Sequence, residues 1–502
     1  MEEQLNQLKA IIGEIYDLNA AKSLLGWDHQ TYMPKGGVKD RSEQIATLSR
    51  LAHEKATSVE VGSLLDKLDT YSKQLNPDSN DACLLRQVRR IYDKENRIPA
   101  SWITDFSKII TLGQSAWENA KRESNFSIFL PHLIEIIRMR QEYASFFQPY
   151  QHIYDPQLDD FEPGMTTLEV QEIFNPLRET QVEIVQRIAE SSQVENKFLY
   201  QFFDEQKQWK FGVDVITELG FDWDRGRQDR SIHPFTSGFG LGDVRITTRL
   251  DPNNLNTGLF GTLHECGHAL YEQGIDPAIR RTPLATGVSS AVHESQSRFW
   301  ENIIGRSLSF WQHYYPKLQQ NFQSQLGGIN LAAFYKGINI VKPSYIRIHA
   351  DEATYNLHIM LRMDLEIALL EGSLAVKDLP EAWNAKMKSY LGVVPPDDAR
   401  GVLQDIHWSG GLIGYFPTYA LGNLVASQLW EKMEADIPTI SEDIARGTFV
   451  SVLEWLRGNI HQHGSKYQPT DLIRRVIGEG INSRPYLQYL RRKYGEIYHI
   501  EF

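Results

Sequence analysis

The segment HECGH, residues 264–268, contains two histidines and a glutamate whose spacing suits a metal site. In an α-helix four residues turn the chain by about 400° and advance it roughly 6 Å, so His264 and His268 would leave the same face and could bind one ion. Glu265 would point about 100° away from His264, beside the ion. The segment favours a helix because no proline or β-branched run precedes Gly274. Two structural histidines are the alternative interpretation.

A third ligand should come from another element, because catalytic zinc usually has three protein ligands and one position for water. Glu294 lies on a second helical pattern, which a loop separates from the first, and a carboxylate there could complete the site. The neighbouring His293 is the alternative ligand. We predict Glu294 as the third ligand.

The same residues define a hydrolytic mechanism. If zinc is bound, Glu265 can act as a general base that takes a proton from water made more acidic by the ion. The tetrahedral oxyanion then needs hydrogen-bond donors. His407, Tyr415 and Tyr419 lie together in a glycine-punctuated stretch and could supply them, although a structural loop with buried tyrosines is the alternative.

Composition excludes several classes of protein. The 502 residues carry a net charge of −12, which argues against general binding to nucleic acid. A hydrophobic share of 41% is typical of a soluble globular chain. The N-terminus has no signal-peptide pattern, and no apolar run is long enough for a membrane span. With only Cys83 and Cys266, a disulfide framework is not expected, and a cytoplasmic location is predicted.

The elements that must position these residues are predicted to be mainly α-helical. Helical spacing of apolar residues recurs at residues 5–15, 128–147, 166–190, 291–305, 352–371 and 449–460. Turn residues predict breaks at 74–81, 155–166 and 391–401. None of these breaks is long enough for a flexible linker, so we predict one domain over residues 1–502.

One segment, residues 237–251, predicts a small β-hairpin instead. Val244, Ile246 and Leu250 alternate with arginines after a glycine-rich turn. An exposed strand edge beside the metal could pair with an extended peptide. A purely structural hairpin is the alternative.

Together these strings resemble the carboxypeptidase Taq family, zinc-type metallocarboxypeptidases with an HExxH motif. Besides HECGH, the matching strings are HPF (233–235), DVRIT (243–247), HESQ (293–296), IRIHAD (346–351) and GVLQDIHW (401–408). The resemblance implies a two-lobed helical fold with a deep central groove, similar to neurolysin and angiotensin-converting enzyme. It also implies a homodimer.

For the site, the resemblance implies His264, His268 and Glu294 as metal ligands and Glu265 as the catalytic base. It also implies that His407, with Tyr415 or Tyr419, stabilises the transition state. His233, in the HPF string, is expected to bind substrate.

The expected activity is the release of single C-terminal amino acids, with broad specificity, from peptides that have a free C-terminus. Such an enzyme needs a cation for the terminal carboxylate, and arginine suits this role. Arg347 is the first candidate, and Arg245 and Arg400 are alternatives. For each of them, a salt bridge with an acid such as Asp351 or Asp243 is the competing interpretation.

Two rival functions remain at this point. An oligoendopeptidase would use the same zinc chemistry on internal bonds. A helical scaffold or peptide-binding protein would hold a structural metal, but such a zinc usually has four protein ligands, often cysteines. One Zn²⁺ per chain is predicted, with Co²⁺ or Mn²⁺ as possible substitutes.

Overall fold

The computed structural model describes residues 1–502, which are mainly helical as predicted. The N-terminal helices are α1 (Glu2–Thr31), α2 (Val38–Ala56), α3 (Val59–Ser72), α4 (Asn80–Glu95), α5 (Ala100–Glu123), α6 (Phe126–Ser145), α7 (Asp155–Asp159), α8 (Thr167–Ala189) and α9 (Glu205–Glu218). The others are α10 (Leu255–Gly274), α11 (Ser290–Arg298), α12 (Leu308–Asn321), α13 (Gln323–Leu326), α14 (Leu331–Ile338), α15 (Glu352–Glu371), α16 (Leu379–Leu391), α17 (Pro417–Asp436), α18 (Ile440–Ala445), α19 (Val450–Asn459), α20 (Pro469–Ile477) and α21 (Arg484–Tyr498). None of these helices combines the length and apolar character needed to cross a membrane.

The predicted helical segments correspond to α1, α6, α8, α11, α15 and α19. After Arg298, α11 continues as a π-helical turn, Phe299–Ile304. The predicted break at 155–166 is wrong in part, because it contains α7. Pro156 lies in the first turn of α7, where a missing backbone N–H leaves no helical hydrogen bond unmade.

The three strands are β1 (Gly226–Arg230), β2 (Thr236–Gly238) and β3 (Val244–Thr248), in the sheet order β1-β3-β2. β2 and β3 form the predicted hairpin and pair antiparallel, whereas β1 pairs parallel with β3. The sequence GRQDR of β1 contains no β-branched or aromatic residue, so no pattern predicts this strand.

The small sheet lies between α10 and α1. On one face the hydroxyls of Thr248 and Thr262 of α10 are 2.9 Å apart. On the other face, the Arg245 guanidinium lies 4.5 Å from the Trp27 ring centroid of α1. Because side chains alternate along a strand, Arg245 points away from the face that contacts the HECGH helix.

Two large hydrophobic cores fill the molecule, in keeping with the expected two lobes. The first contains residues from α5, α6, α8, α15, α16 and α21. The second contains residues from α9, α10, α12, α14, α19 and α20. α17 contributes to both cores, with Leu421 in the first and Leu429 in the second. A third, smaller core joins α1, α3 and α4.

Two glycines allow α10 and α17 to approach α11 closely. A Cβ at Gly267 of α10 would lie 2.5 Å from the carbonyl oxygen of Gln296. A Cβ at Gly422 of α17 would lie 2.8 Å from Cγ of Glu294. Both distances are below contact distance, so any larger residue would push the helices apart. The three helices therefore pack at a separation that only glycine permits.

We expect Gly267→Ala to lower the free energy of unfolding by about 1–3 kcal/mol, because the added methyl meets backbone atoms that have no room to move. Urea unfolding followed by circular dichroism measures the change. Gly26→Ala in α1 is the matched control, since a Cβ there would have no neighbour within 4 Å. The control should raise stability by about 0.5–1 kcal/mol through helix propensity. An equal rise in both variants would contradict the close approach.

Candidate metal centre

His264, His268 and Glu294 come together at the contact of α10 and α11. One potential ligand atom from each lies within 4.8 Å of the others. Nε2 of His264 is 3.7 Å from Oε2 of Glu294, and Nε2 of His268 is 3.5 Å from the same oxygen. Two imidazoles and a carboxylate are donors that suit zinc and similar divalent metals. The geometry thus brings together the three residues predicted as ligands.

The far nitrogens of both imidazoles are held by other side chains. Nδ1 of His264 lies 2.8 Å from Oε2 of Glu301, and Nδ1 of His268 lies 2.6 Å from Nδ1 of His293. Nε2 of His293 is in turn 2.7 Å from Oε1 of Glu272. If each Nδ1 of the pair on α10 carries the proton, both Nε2 atoms keep a lone pair for a metal. Both ring nitrogens of His293 are thus engaged, with His268 and with Glu272, so His293 orients His268.

Arg298 compensates the buried acids of this site. Its Nε donates to Oε1 of Glu294 at 2.7 Å, while the Ser297 hydroxyl donates to Oε2 at 3.0 Å. Burial by itself raises the pKa of Glu294, but the positive charge of Arg298 and the nearby His264 lower it well below its usual range. For Glu301 the same guanidinium outweighs burial and lowers the pKa to about 2. Both carboxylates are therefore ionised at neutral pH.

Glu265 lies beside the three ligand atoms and contacts the sheet. The hydroxyl of Thr236, in β2, donates to Oε2 of Glu265 at 2.7 Å. Burial raises the pKa of Glu265 above its ordinary value. A carboxylate with a raised pKa accepts a proton more readily than an exposed one, which is the property a general base needs.

His407, Tyr415 and Tyr419 form an aromatic cluster on the other side of the site. Nε2 of His407 is 3.3 Å from the hydroxyl of Tyr419, and the two tyrosine rings are 5.2 Å apart. Burial, with the charge of Glu294 as a second cause, raises the pKa of Tyr415 to about 12. Burial lowers the pKa of His407 to about 4. The tyrosines are thus protonated donors and His407 is neutral.

Two buried acids fix the loop that carries His407. Oδ1 of Asp405 accepts from Nε and Nη2 of Arg347 at 3.0 and 2.8 Å, and its Oδ2 pairs with Arg362. Glu366 accepts from the indole of Trp408, from the Tyr154 hydroxyl and from the backbone of Gly414. These contacts hold the loop on both sides of His407.

The predicted substrate-binding residues occupy different environments. Arg347 is buried, and its Nη1 also donates to the hydroxyl of Tyr355 at 2.8 Å. That tyrosine ring lies 4.3 Å from the guanidinium carbon of Arg298, so two side chains, Tyr355 and Arg298, separate Arg347 from Glu294. His233 is exposed, and the adjacent Pro234 is near Gly261 of α10.

The alternative arginines are paired with acids, as Arg347 is, but neither contacts a side chain of the metal site. Arg245 faces α1 and donates twice to Asp243, at 2.8 Å each. Arg400 is exposed and pairs with Asp397, its neighbour in sequence. Neither is brought to the metal site.

The sequence analysis missed the residues that support the potential ligands. Arg298 and Glu301 follow Glu294 by four and seven residues, a spacing that indicates one helix face and could have identified them. Thr236 gives no such signal, because only the fold of the sheet brings it to Glu265.

The comparisons with known proteins agree with this geometry. The family model of carboxypeptidase Taq (M32) metallopeptidases matches residues 7–494. The chain is 41% identical to thermostable carboxypeptidase 1 of Thermus thermophilus, over 95% of both chains, and 39% identical to carboxypeptidase 1 of Bacillus subtilis, over 97% of both. The structure of an M32 carboxypeptidase from Deinococcus radiodurans superposes with a TM-score of 0.96 at 39% identity, covering 99% of this chain and 100% of that one.

The fold and the site therefore define a metal-dependent peptide hydrolase. The chain belongs to the carboxypeptidase Taq (M32) family. It is accordingly a metallocarboxypeptidase, and its family implies a divalent metal.

We expect Glu294→Ala to abolish most metal binding and His293→Ala to weaken it by about 10–100-fold, because His293 only orients a ligand. Titration of each variant against a chelator, with metal content measured by mass spectrometry, separates the two effects. His29→Ala, which changes an exposed histidine on α1, is the control and should leave the affinity for the metal unchanged. Loss of metal from His293→Ala alone would make His293 the third ligand.

Proposed function

We propose that this chain releases single C-terminal amino acids from peptides with broad specificity, and that Glu265 is the general base. The observation that carries the proposal is the buried Glu265 carboxylate beside the three potential ligand atoms. Peptides with a free C-terminus are the proposed substrates.

We propose one Zn²⁺ per chain, held by His264, His268 and Glu294, with Co²⁺ or Mn²⁺ as substitutes. The donor set supports this, since two imidazoles and one carboxylate leave a position for water. The paired Nδ1 atoms and the ionised Glu294 also suit a cation. Once bound, the ion would acidify a water molecule and polarise the carbonyl of the scissile bond.

Glu265 would move the proton in this reaction. Because the Thr236 hydroxyl holds Oε2, the other oxygen is left to accept a proton from the attacking water. The same carboxyl group can then deliver that proton to the amine of the departing amino acid.

Tyr415, Tyr419 and His407 would stabilise the oxyanion. A phenol hydroxyl that stays protonated can donate a hydrogen bond to the developing negative charge, and both tyrosines meet that condition because burial raises their pKa values. Contact with His407 Nε2 fixes the hydroxyl of Tyr419. Comparison of kcat between Tyr415→Phe and Tyr419→Phe distinguishes the two tyrosines.

Arg347 is proposed to hold the terminal carboxylate of the substrate. Three of its five N–H groups contact Asp405 and Tyr355, which leaves two for a ligand. Its position one side chain beyond Arg298 suits a residue that follows the scissile bond. His233 is proposed to contact the substrate from the loop between β1 and β2.

Three further properties are proposed on other grounds. The homodimer rests on the family resemblance. The cytoplasmic location rests on two buried cysteines that form no disulfide. One domain over residues 1–502 rests on the absence of a flexible linker and on the sharing of α17 by both cores.

Glu265→Gln should keep the metal and lose at least about 100-fold in kcat, because an amide occupies the site without accepting a proton. Amino acid release by the metal-loaded variant is the measurement, with metal content checked in parallel. Glu118→Gln, an exposed change on α5, should have normal activity. Near-normal turnover by metal-loaded Glu265→Gln would rule out the proposed base.

Amidation of the substrate's C-terminus should lower kcat/KM of the wild type by a factor that corresponds to about 2–4 kcal/mol of lost transition-state stabilisation. This is the scale for removing a buried charge partner. Arg347→Ala should lose a similar amount on free peptides and little more on amidated ones. Arg347→Lys keeps the positive charge beside Asp405 and therefore disturbs that acid less than Arg347→Ala does. Arg400→Ala, which removes an exposed arginine, is the control.

If the wild type cleaves free and amidated peptides equally, release of C-terminal residues is not its activity and the oligoendopeptidase alternative gains support. Product identification by mass spectrometry distinguishes the two, since an endopeptidase yields internal fragments.

A further inference from the structure

A cavity of about 450 Å³ lies between the N-terminal helices and the end of β2. Its apolar floor combines residues from four helices: Ile12, Ile15, Ala52, Ala56, Val61, Val88 and Ile91. Polar groups stand at its rim, among them Tyr16, Glu272 and the pair His53–Glu95. None of the roles proposed above uses this cavity, although its volume exceeds that of any single side chain.

The cavity is connected to the metal centre by α10 and by β2. Glu265 and Glu272 are seven residues apart on α10, which corresponds to about 10 Å along the helix axis. β2 runs beside this stretch: Thr236 contacts Glu265, and a Cβ at Gly238 would lie 3.5 Å from Oε2 of Glu272. Gly238 and Gly240 both line the cavity. An extended chain that follows β2 away from Glu265 therefore arrives at the cavity.

The outer edge of β2 can hold such a chain. The carbonyl of Phe235 accepts from the N–H of Thr247 in β3, and the N–H of Phe239 donates to the carbonyl of Asp243, just before β3. Because pairing alternates along an antiparallel strand, the backbone groups of Thr236 and Gly238 point to the side away from β3. A strand advances about 3.4 Å per residue, so a peptide that runs beside the chain from Thr236 to Gly240 advances by four residues, or about 14 Å.

The direction of the substrate follows from the proposed function. Release of one residue leaves a single amino acid on the C-terminal side of the scissile bond. Peptide lying about 10 Å or more from Glu265 must then belong to the N-terminal side. Twelve of the 23 residues that line the cavity are hydrophobic, which favours an apolar side chain as the occupant, and Lys22, Glu95 and Glu272 are the charged members of the lining.

We propose that this cavity is a substrate subsite that binds an apolar side chain of the peptide, three or four residues before the scissile bond. The proposal rests on the proposed release of single C-terminal residues. It adds a preference for long substrates with an apolar residue upstream, in an enzyme that is otherwise of broad specificity.

The test uses the metal-loaded enzyme and N-acetylated alanine hexapeptides with a free C-terminus, in which one leucine replaces alanine at each position in turn. Leucine at the third or fourth position before the scissile bond should raise kcat/KM by at least about tenfold, because full burial of its three extra carbons would correspond to about 50-fold. Leucine at positions nearer the N-terminus should have little effect. The C-terminal amino acid released is the quantity measured.

Ala56→Phe, on the floor of the cavity, should reduce this leucine preference to below twofold by filling the space. Ala46→Phe is the matched control, because Ala46 is on the same helix α2 but exposed and outside the cavity. It should keep the full preference. Thermal unfolding monitors the fold, and Ser49→Phe, at another lining position, replaces Ala56→Phe if that variant does not fold.

A wild type without upstream preference, or a preference that survives both filling variants, would overturn the subsite while C-terminal release continued normally. If no peptide lost a single C-terminal residue, the proposed function itself would be wrong, and the subsite with it.

Discussion

Buried negative charge is the constraint on which the rest of this structure depends. Glu265, Glu294 and Glu301 are all largely buried around the contact of α10 and α11. Two arginines pair with them: Arg298 contacts Glu294 and Glu301, and Arg306 lies 4.0 Å from Glu301. An uncompensated buried carboxylate costs several kcal/mol, so a divalent cation at the three ligand atoms would offset the remaining charge. The same ion would therefore stabilise the fold and perform chemistry.

Close packing gives this charge cluster its shape. The approach at Gly267 and Gly422 places α11 between α10 and α17, so the potential ligands and Tyr419 belong to one stack of helices. The loop before α17 has a separate set of supports, since Asp405 and Glu366 hold it from two directions. Glu265, Arg347 and Tyr419 thus each have a polar partner, Thr236, Asp405 and His407 respectively, which limits their movement.

Helical periodicity predicts that His264 and His268 share one helix face, and the structure brings both together with Glu294. Spacing alone left His293 open as the alternative to Glu294. The sequence does not predict which residues far apart in the chain come into contact. Alternation along β3 indicates that Arg245 lies opposite Val244 and Ile246, yet nothing local tells which face meets α10. Strand β1 could not be predicted from the sequence for the same reason. Its backbone pairing with β3 specifies it, and its side chains show no strand pattern.

The position of the site between the two cores has a consequence for heat inactivation. The potential ligands on α10 belong to the second core, whereas Tyr419 packs against the first. Neither half alone contains both the potential metal ligands and Tyr419. Unfolding of either half would therefore separate the potential ligands from the proposed oxyanion donor. Loss of activity on heating would then follow the less stable half, even while the other half still gave a native spectroscopic signal.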